Sequence, residues 1–164
     1  MVGLNICEST IVMRRADTIR ILNQLILAGR DGEDFCEHAQ VAAEPALAVL
    51  LRQRGEEWGR LSDELQALVL LLGGLPARAA TLAARALHLW LAARARILGA
   101  DDALVLENWE RLERASLARY EQSLAGDLPE RIRRTLSLQC DRVLARLEQV
   151  SRLRDQYIVQ SVAG

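Results

Sequence analysis

Proline and glycine stop signals interrupt this chain of 164 residues at four places. Pro45, Pro76 and Pro129 each lie where one helix is expected to end and the next to begin, and residues 99–102 mark a fourth break. Ala, Leu, Arg and Glu, which favour helices over strands, dominate between the breaks. The chain is therefore predicted to be all-α. The predicted helices cover residues 16–42, 45–73, 77–98, 102–125 and 129–160.

Apolar side chains recur at helical spacing in the second and fifth predicted helices. These stripes are Leu47, Leu51, Trp58, Leu61, Leu65, Leu68 and Leu72, and Ile132, Leu136, Val143, Leu147, Val150 and Leu153. Neither stripe can be left in water, so two antiparallel hairpins, residues 16–73 and 102–160, should pack together across a crossover helix, residues 77–98. This is a ferritin-like four-helix bundle over residues 16–164, with residues 1–15 as an N-terminal extension. An elongated helical array is the alternative.

Composition and charge exclude several classes of protein. With 51% hydrophobic residues the chain can build one sizeable core, and a formal net charge of −1 argues against a generally basic nucleic-acid binder. All 21 cationic residues are arginine, which indicates a GC-rich bacterial coding sequence. The longest apolar run is interrupted by Gln66, so we expect a cytoplasmic protein without a transmembrane segment. Cys7, Cys36 and Cys140 lie far apart and are expected to be free thiols.

Several short stretches share a pattern of helix texture and turns: Asp31-Gly32-Glu33, Glu64-Leu65-Gln66-Ala67-Leu68-Val69, Gly73-Gly74, Trp90, residues 107–120 and Asp127-Leu128-Pro129. This pattern resembles an uncharacterised bacterial family of ferritin-like four-helix-bundle proteins. The resemblance covers most of the chain after about residue 17. It implies the bundle fold, a remote relation to iron-binding bundles and a setting in bacterial stress or envelope physiology. It implies no activity.

The metal ligands of a di-iron bundle are incomplete in this sequence. Such a site takes a Glu from each of two helices and a Glu-x-x-His motif from each of the other two. Phe35 stands three positions before His38, and Arg85 three positions before His88, so neither histidine completes the motif. We therefore expect no cofactor, with an oxygen-only Fe or Mn site as the alternative. The candidate ligands are Glu33, Glu57, Glu110 and Glu113.

The fourth predicted helix can be placed in two rotational phases. One phase turns Leu106, Glu110, Glu113, Leu117, Tyr120 and Leu124 inward; the other turns Val105, Trp109 and Leu112 inward. The second phase would leave the two acids less buried.

Simple folding of each hairpin about its turn sets an arginine opposite each candidate carboxylate. The predicted pairs are Glu33 with Arg54, Arg30 with Glu57, Glu113 with Arg142 and Glu110 with Arg146. A guanidinium offsets the carboxylate charge and repels a divalent cation, so the acids are interpreted as an arginine-neutralised relic of a metal site. If Glu33 and Arg54 form a buried pair, replacing Arg54 by Ala should cost about 3 to 5 kcal/mol.

The same folding brings small residues of the first hairpin together, with Gly29 opposite Gly59 and Gly32 opposite Gly55. Each glycine inside a helix normally costs about 1 kcal/mol relative to Ala. The favoured occupant of the space is the indole of Trp58, and a small ligand is the alternative.

Residues 77–100 contain no acidic side chain and form a basic amphipathic pattern. Its arginines are Arg78, Arg85, Arg94 and Arg96. Such a helix can bind an anionic membrane surface or cover the bundle, and covering is favoured because the apolar face must be buried. Residues 31–44 are acidic and offer a partner surface in the same chain or in a second subunit, so a homo-oligomer, most simply a dimer, is predicted.

The sequence contains no pattern typical of a catalytic site: no Ser/His/Asp or Cys/His arrangement, no phosphate-binding glycine loop and no zinc spacing. The leading hypothesis is a non-catalytic bundle that acts through self-association or a protein partner. A divergent metal-binding or redox bundle is the second hypothesis. A peripheral binder of anionic surfaces is the third.

Overall fold

The computed structural model describes residues 3–41, 43–78 and 101–163, with side chains from residue 14 to residue 160 in those ranges. Its four helices are α1 (Gly3–Ala39), α2 (Pro45–Leu71), α3 (Asp102–Leu124) and α4 (Glu130–Ala163). No strand occurs in these ranges, which confirms the all-α prediction. None of the described helices is long and apolar enough to cross a membrane.

The helix ends agree with the predicted breaks except at the start of the chain. Helix α1 begins at Gly3, well before the predicted start at residue 16, because no proline or glycine interrupts residues 4–28. Helices α2, α3 and α4 begin and end close to their predicted positions. The predicted crossover helix, residues 77–98, lies outside the described residues from position 79 onward.

Local capping explains where α2 begins and ends and where α3 begins. Pro45 occupies the first turn of α2, where its missing N–H is not needed. Gly73 follows α2 with a φ of +67°, a left-handed conformation that glycine adopts without a side-chain clash. Asp101 caps α3, because its carboxylate accepts a hydrogen bond from the Leu104 N–H at 3.2 Å.

The contacts at the helix ends fix the direction of each helix. The Arg15 guanidinium donates to the Leu72 carbonyl, so α2 ends beside the early part of α1. The Glu44 N–H donates to the Asp102 carboxylate at 3.2 Å, so α3 begins at the opposite end of the bundle. The four helices therefore run up, down, down and up. One connection, residues 72–101, joins two ends separated by the length of α2, about 40 Å.

Helix α1 packs on α2 and α3, and α3 packs on α4, around two apolar clusters. One cluster contains Leu22, Ile26, Leu65, Val69, Tyr120 and Leu136, and the other contains Phe35, Leu51, Trp58, Trp109, Leu147 and Val150. The predicted stripes on α2 and α4 supply much of both clusters. Buried polar side chains, among them Glu113 and Ser116 of α3, lie along the helices between the clusters.

The register of the first hairpin differs from the predicted one by about one helical turn. Gly29 lies against Ser62 and Gly59 lies against Glu33, so the predicted pairing of the two glycines is wrong. The prediction placed the turn at residues 43 and 44, whereas α1 ends at Ala39 and α2 begins at Pro45. Gly55 lies against Cys36, so α2 begins beyond the level at which α1 ends.

The close approach of α1 to α2 depends on Gly32. A Cβ atom at this position would lie 2.6 Å from the indole of Trp58, which is itself buried. The prediction that Trp58 fills the space left by a missing side chain is therefore confirmed at Gly32. The predicted pairing of Gly32 with Gly55 is wrong, since Gly55 lies against Cys36.

Replacing Gly32 by Ala should destabilise the protein by about 1 kcal/mol or more, because overpacking against a rigid ring outweighs the better helix propensity of Ala. Chemical denaturation would measure the change in the free energy of unfolding. Gly55→Ala is the matched control, because its Cβ would meet its nearest neighbour at a more tolerable 3.3 Å. Equal stability of the two variants would contradict the packing argument.

Candidate functional site

Helix α3 turns its central acids towards the core. Glu113 is 0% exposed and Glu110 is 5% exposed, so the rotational phase that buries both acids is confirmed. Trp109, assigned to the alternative phase, is also buried. The inward face of α3 is therefore wider than either predicted stripe.

Two arginines enclose Glu113 in the bundle centre. Arg54 of α2 places Nε 3.8 Å from Glu113 Oε1, and Arg146 of α4 places Nε 3.6 Å from Glu113 Oε2. Both arginines are 6% exposed. The Trp109 Nε1–H donates to Glu113 Oε1 at 3.2 Å. We call Arg54, Glu113 and Arg146 the central triad.

Hydrogen bonding within the central triad is incomplete. Glu113 Oε2, Arg54 Nε, and Arg146 Nε and Nη2 are buried without a hydrogen-bond partner. Arg54 uses its other nitrogens to donate to Glu57 at 2.6 Å and to Gln149 at 2.8 Å. Most buried polar atoms in proteins have a hydrogen-bond partner, so each exception calls for an explanation.

Aromatic rings hold the two guanidiniums in place. The Arg146 guanidinium carbon lies 4.4 Å from the centroid of the Trp58 ring, and that of Arg54 lies 5.4 Å from the centroid of the Trp109 ring. Both separations are within the range of a cation–π interaction, which strengthens when the cation is desolvated. Stacking thus orients Arg146, whose Nε and Nη2 lack hydrogen-bond partners.

Burial shifts the titration of the groups around the centre. It raises the pKa of the Glu113 carboxyl, while the two guanidiniums and the Trp109 N–H act in the opposite direction. Burial lowers the pKa of the Arg146 guanidinium, and the negative charge of Glu113 acts in the opposite direction. Burial also raises the pKa of the neighbouring Cys36 thiol to about 12. Cys36 therefore stays protonated at neutral pH and is a poor nucleophile.

In the first hairpin, the predicted ion pairs form with different partners. Glu33 pairs with Arg30 at 2.6 Å and not with Arg54, and Arg30 reaches across the hairpin to Asp63 at 2.9 Å. Glu57 pairs with Arg54 at 2.6 Å and not with Arg30. The change of about one turn in register separates the predicted partners, so pairs three residues apart along one helix form instead.

In the second hairpin, arginines other than the predicted ones contact the acids of α3. Glu110 pairs with Arg114 at 2.6 Å and also with Arg154, in place of Arg146. Arg142, the predicted partner of Glu113, instead lies 3.7 Å from Glu64 of α2. Arg146, one turn further along α4, lies beside Glu113 where Arg142 was predicted.

The four candidate metal ligands are not brought together. Glu33 and Glu57 are 37% and 43% exposed as side chains, whereas Glu110 and Glu113 are buried, and each of the four contacts at least one arginine. Within the described ranges, no three His, Cys, Asp or Glu side chains are grouped closely enough to hold a metal ion. Around Glu113 the nearest charges are cationic, which does not suit a divalent metal.

A groove of 430 Å³ opens between α2 and α4, beside the central triad. Its charged lining residues are Arg54, Glu57, Arg60, Glu64, Arg142 and Arg146. We call it the α2/α4 groove. The groove was not predicted from the sequence. Arg142 and Arg146 are spaced one turn apart on α4, as are Arg60 and Glu64 on α2, and this spacing is a detectable signal.

Of the basic arginines predicted for the crossover, only Arg78 lies in the described part of the chain, where it is exposed. Arg85, Arg94 and Arg96 fall outside it, so binding of an anionic surface by this segment stays a prediction. The described start of the connection passes over α1, where the Ala77 N–H donates to the Asn23 side chain at 2.8 Å.

Replacing Arg54 by Ala should cost about 3 to 5 kcal/mol of unfolding free energy, because it weakens the charge balance of a fully buried Glu113. The predicted size is retained, but the buried partner is Glu113 and not Glu33. Urea denaturation measures the loss.

Arg134→Ala is the control for that substitution, because Arg134 is 77% exposed and lies 3.9 Å from an equally exposed Glu130. It should cost less than about 1 kcal/mol. An equally small loss for Arg54→Ala would show that the buried Glu113 does not depend on Arg54 for its charge balance.

Residues 17–126 match a protein family described as "Domain of unknown function (DUF2383)". The matched segment begins within α1 and ends just after α3. It therefore contains Arg54 and Glu113 of the central triad but not Arg146. No curated protein matches the chain.

Proposed function

This chain belongs to the DUF2383 family, whose function is unknown. We propose a role for it from the arrangement of charged side chains at the centre of the bundle. The protein is a non-catalytic, ferritin-like helical bundle that acts through self-association or a protein partner. Arginines balance the charge of its buried carboxylate where a metal would do so in a di-iron bundle. The observation that carries this proposal is the enclosure of Glu113 between Arg54 and Arg146.

The direction of the helices supports the ferritin-like assignment. An up-down-down-up order with a single long connection between the two hairpins is characteristic of ferritin-like bundles, whereas simple bundles alternate direction through short loops. Here the connection over residues 72–101 joins opposite ends. Glu110 and Glu113 lie on the inward face of α3, as ligands in such bundles do.

Charge balance supports a role without a metal. A divalent ion near Glu113 would face guanidiniums already within 4 Å of the carboxylate oxygens. Removing the carboxylate from water requires a nearby positive charge, and the arginines supply it. The site thus needs no metal for its electrostatic balance.

Exposed apolar side chains support self-association. Leu70, Leu71 and Leu75, at the end of α2 and in the turn that follows, are 60%, 67% and 83% exposed. Exposed apolar side chains that lie close together in the chain can form an interaction site. A second copy of the chain would bury these leucines.

Metal titration tests the charge-balance proposal. Protein prepared without an affinity tag and stripped of metal should take up no stoichiometric Fe(II) or Mn(II), because the arginines repel a cation at Glu113. Elemental analysis and calorimetry measure uptake. Stoichiometric metal that is lost in Glu113→Gln but kept in Glu130→Gln, an exposed carboxylate, would favour the metal-binding alternative and overturn the proposal.

Sedimentation velocity tests the association surface. At micromolar concentration the unmodified chain should sediment as a dimer or larger species, and Leu71→Glu should shift it to the monomer by placing charge in the apolar contact. Leu144→Glu is the control, since Leu144 is exposed on α4 away from this surface. A monomeric unmodified chain would leave the proposed contact without support.

A further inference from the structure

The α2/α4 groove has the size and lining of a small-molecule site. Its volume of 430 Å³ lies within the range of known ligand pockets, about 300 to 1,000 Å³. Side chains one turn apart on each helix line its two walls, among them Arg60 and Glu64 of α2 and Arg142 and Arg146 of α4. The groove therefore presents fixed polar groups on rigid elements.

Arg146 is the group in this groove that most needs a partner. Only 6% of its surface is exposed, and its Nε and Nη2 have no hydrogen-bond partner. The Glu113 carboxylate lies 3.6 Å from Nε. At this distance it balances the charge of the guanidinium but does not form a hydrogen bond with it. Because the ring of Trp58 holds the guanidinium plane, the donors are oriented before any ligand arrives.

The charges in and behind the groove leave a single positive excess. Its four arginines face Glu57 and Glu64, and Glu113 lies behind Arg54 and Arg146. Arg54 donates through its two terminal nitrogens to Glu57 and to Gln149, so only its Nε is left without a partner. Arg60, in contrast, is exposed and has no ion pair among the described residues. One negative charge would complete the balance.

The walls of the groove also contain apolar surface. Leu61 and Ala145 line it, and the methylene stems of the arginines add to this surface. A guanidinium fork matches the two oxygens of a carboxylate through paired hydrogen bonds. These features together suit a ligand with one carboxylate and a small carbon skeleton better than a bare multivalent anion.

We propose that the α2/α4 groove binds a small organic acid as its carboxylate. Arg146 is the buried donor, and Arg142 and Arg60 are the cations at the rim. Leu61 and Ala145 contact the carbon skeleton. This site does not depend on the proposed self-association or on the absence of a metal.

Titration of the full chain with sodium benzoate tests the proposal. Calorimetry at constant ionic strength, with chloride as the replacement anion, should give saturable binding of one benzoate per chain. Benzyl alcohol, which keeps the ring without the charge, should not bind. Shifts of the Trp58 indole and Gln149 side-chain amide resonances should accompany benzoate binding, because both residues contact the groove arginines.

Substitutions at the rim test the location without disturbing the core. Arg142→Gln and Arg60→Gln should each weaken benzoate binding severalfold, as expected for exposed charges. Arg134→Gln, on the same helix but outside the groove, should leave binding unchanged. Equal affinity in the Arg142 and Arg134 variants would mean general charge attraction and overturn the site.

The buried donor is tested by a compensated variant. Arg146→Met alone leaves Glu113 with one partner fewer, so the double variant Arg146→Met and Glu113→Gln removes both charges together. Circular dichroism checks that it folds, and benzoate affinity should fall about tenfold or more. Unchanged affinity in the folded variant, no saturable benzoate binding to the unmodified chain, or tighter binding of inorganic phosphate than of benzoate would each refute the proposal.

Discussion

A carboxylate fully removed from solvent, that of Glu113, determines how three of the four helices meet. Its two oxygens face arginines from α2 and α4, so α3 cannot rotate or slide without separating opposite charges in a medium of low dielectric constant. The cost of desolvating three charges offsets much of their attraction, so such a triad adds little net stability over an apolar core. Its main effect is on specificity, because shifted packings would leave a charge unpaired.

The influence of the triad reaches α1 through an aromatic ring. Arg146 stacks on Trp58, and the indole of Trp58 occupies the space that Gly32 of α1 leaves open. The glycine, the indole, the guanidinium and the carboxylate thus form one continuous set of contacts across the bundle. A change at Gly32 would therefore alter the position of Arg146 as well as the packing of two helices.

Helix boundaries and buried faces could be predicted from this sequence because they depend on local signals: proline positions, glycine ends and apolar spacing. For α3 the same spacing allowed two rotational phases, and the structure shows that the one turning Glu113 inward is correct. Ion-pair partners on different helices could not be predicted, because they depend on register, and the observed register of α1 against α2 differs from the predicted one by about one turn. Two of the observed pairs, Arg30 with Glu33 and Arg54 with Glu57, are three residues apart and were readable from sequence alone.

The same burial explains why the bundle centre balances its charge yet leaves donors on both arginines without a hydrogen-bond partner. Two arginines and one carboxylate cannot satisfy all of their hydrogen bonds with one another, since a carboxylate offers two oxygens and two guanidiniums offer ten N–H groups. The two terminal nitrogens of Arg54 donate to Glu57 and Gln149, both of which line the α2/α4 groove, and its Nε stays unpartnered. Arg146 has no equivalent partners, and desolvation lowers its pKa, so an oxyanion that reached it would stabilise its charged form. The two arginines that balance the charge of Glu113 therefore also supply the donor for the anion that we propose in the neighbouring groove.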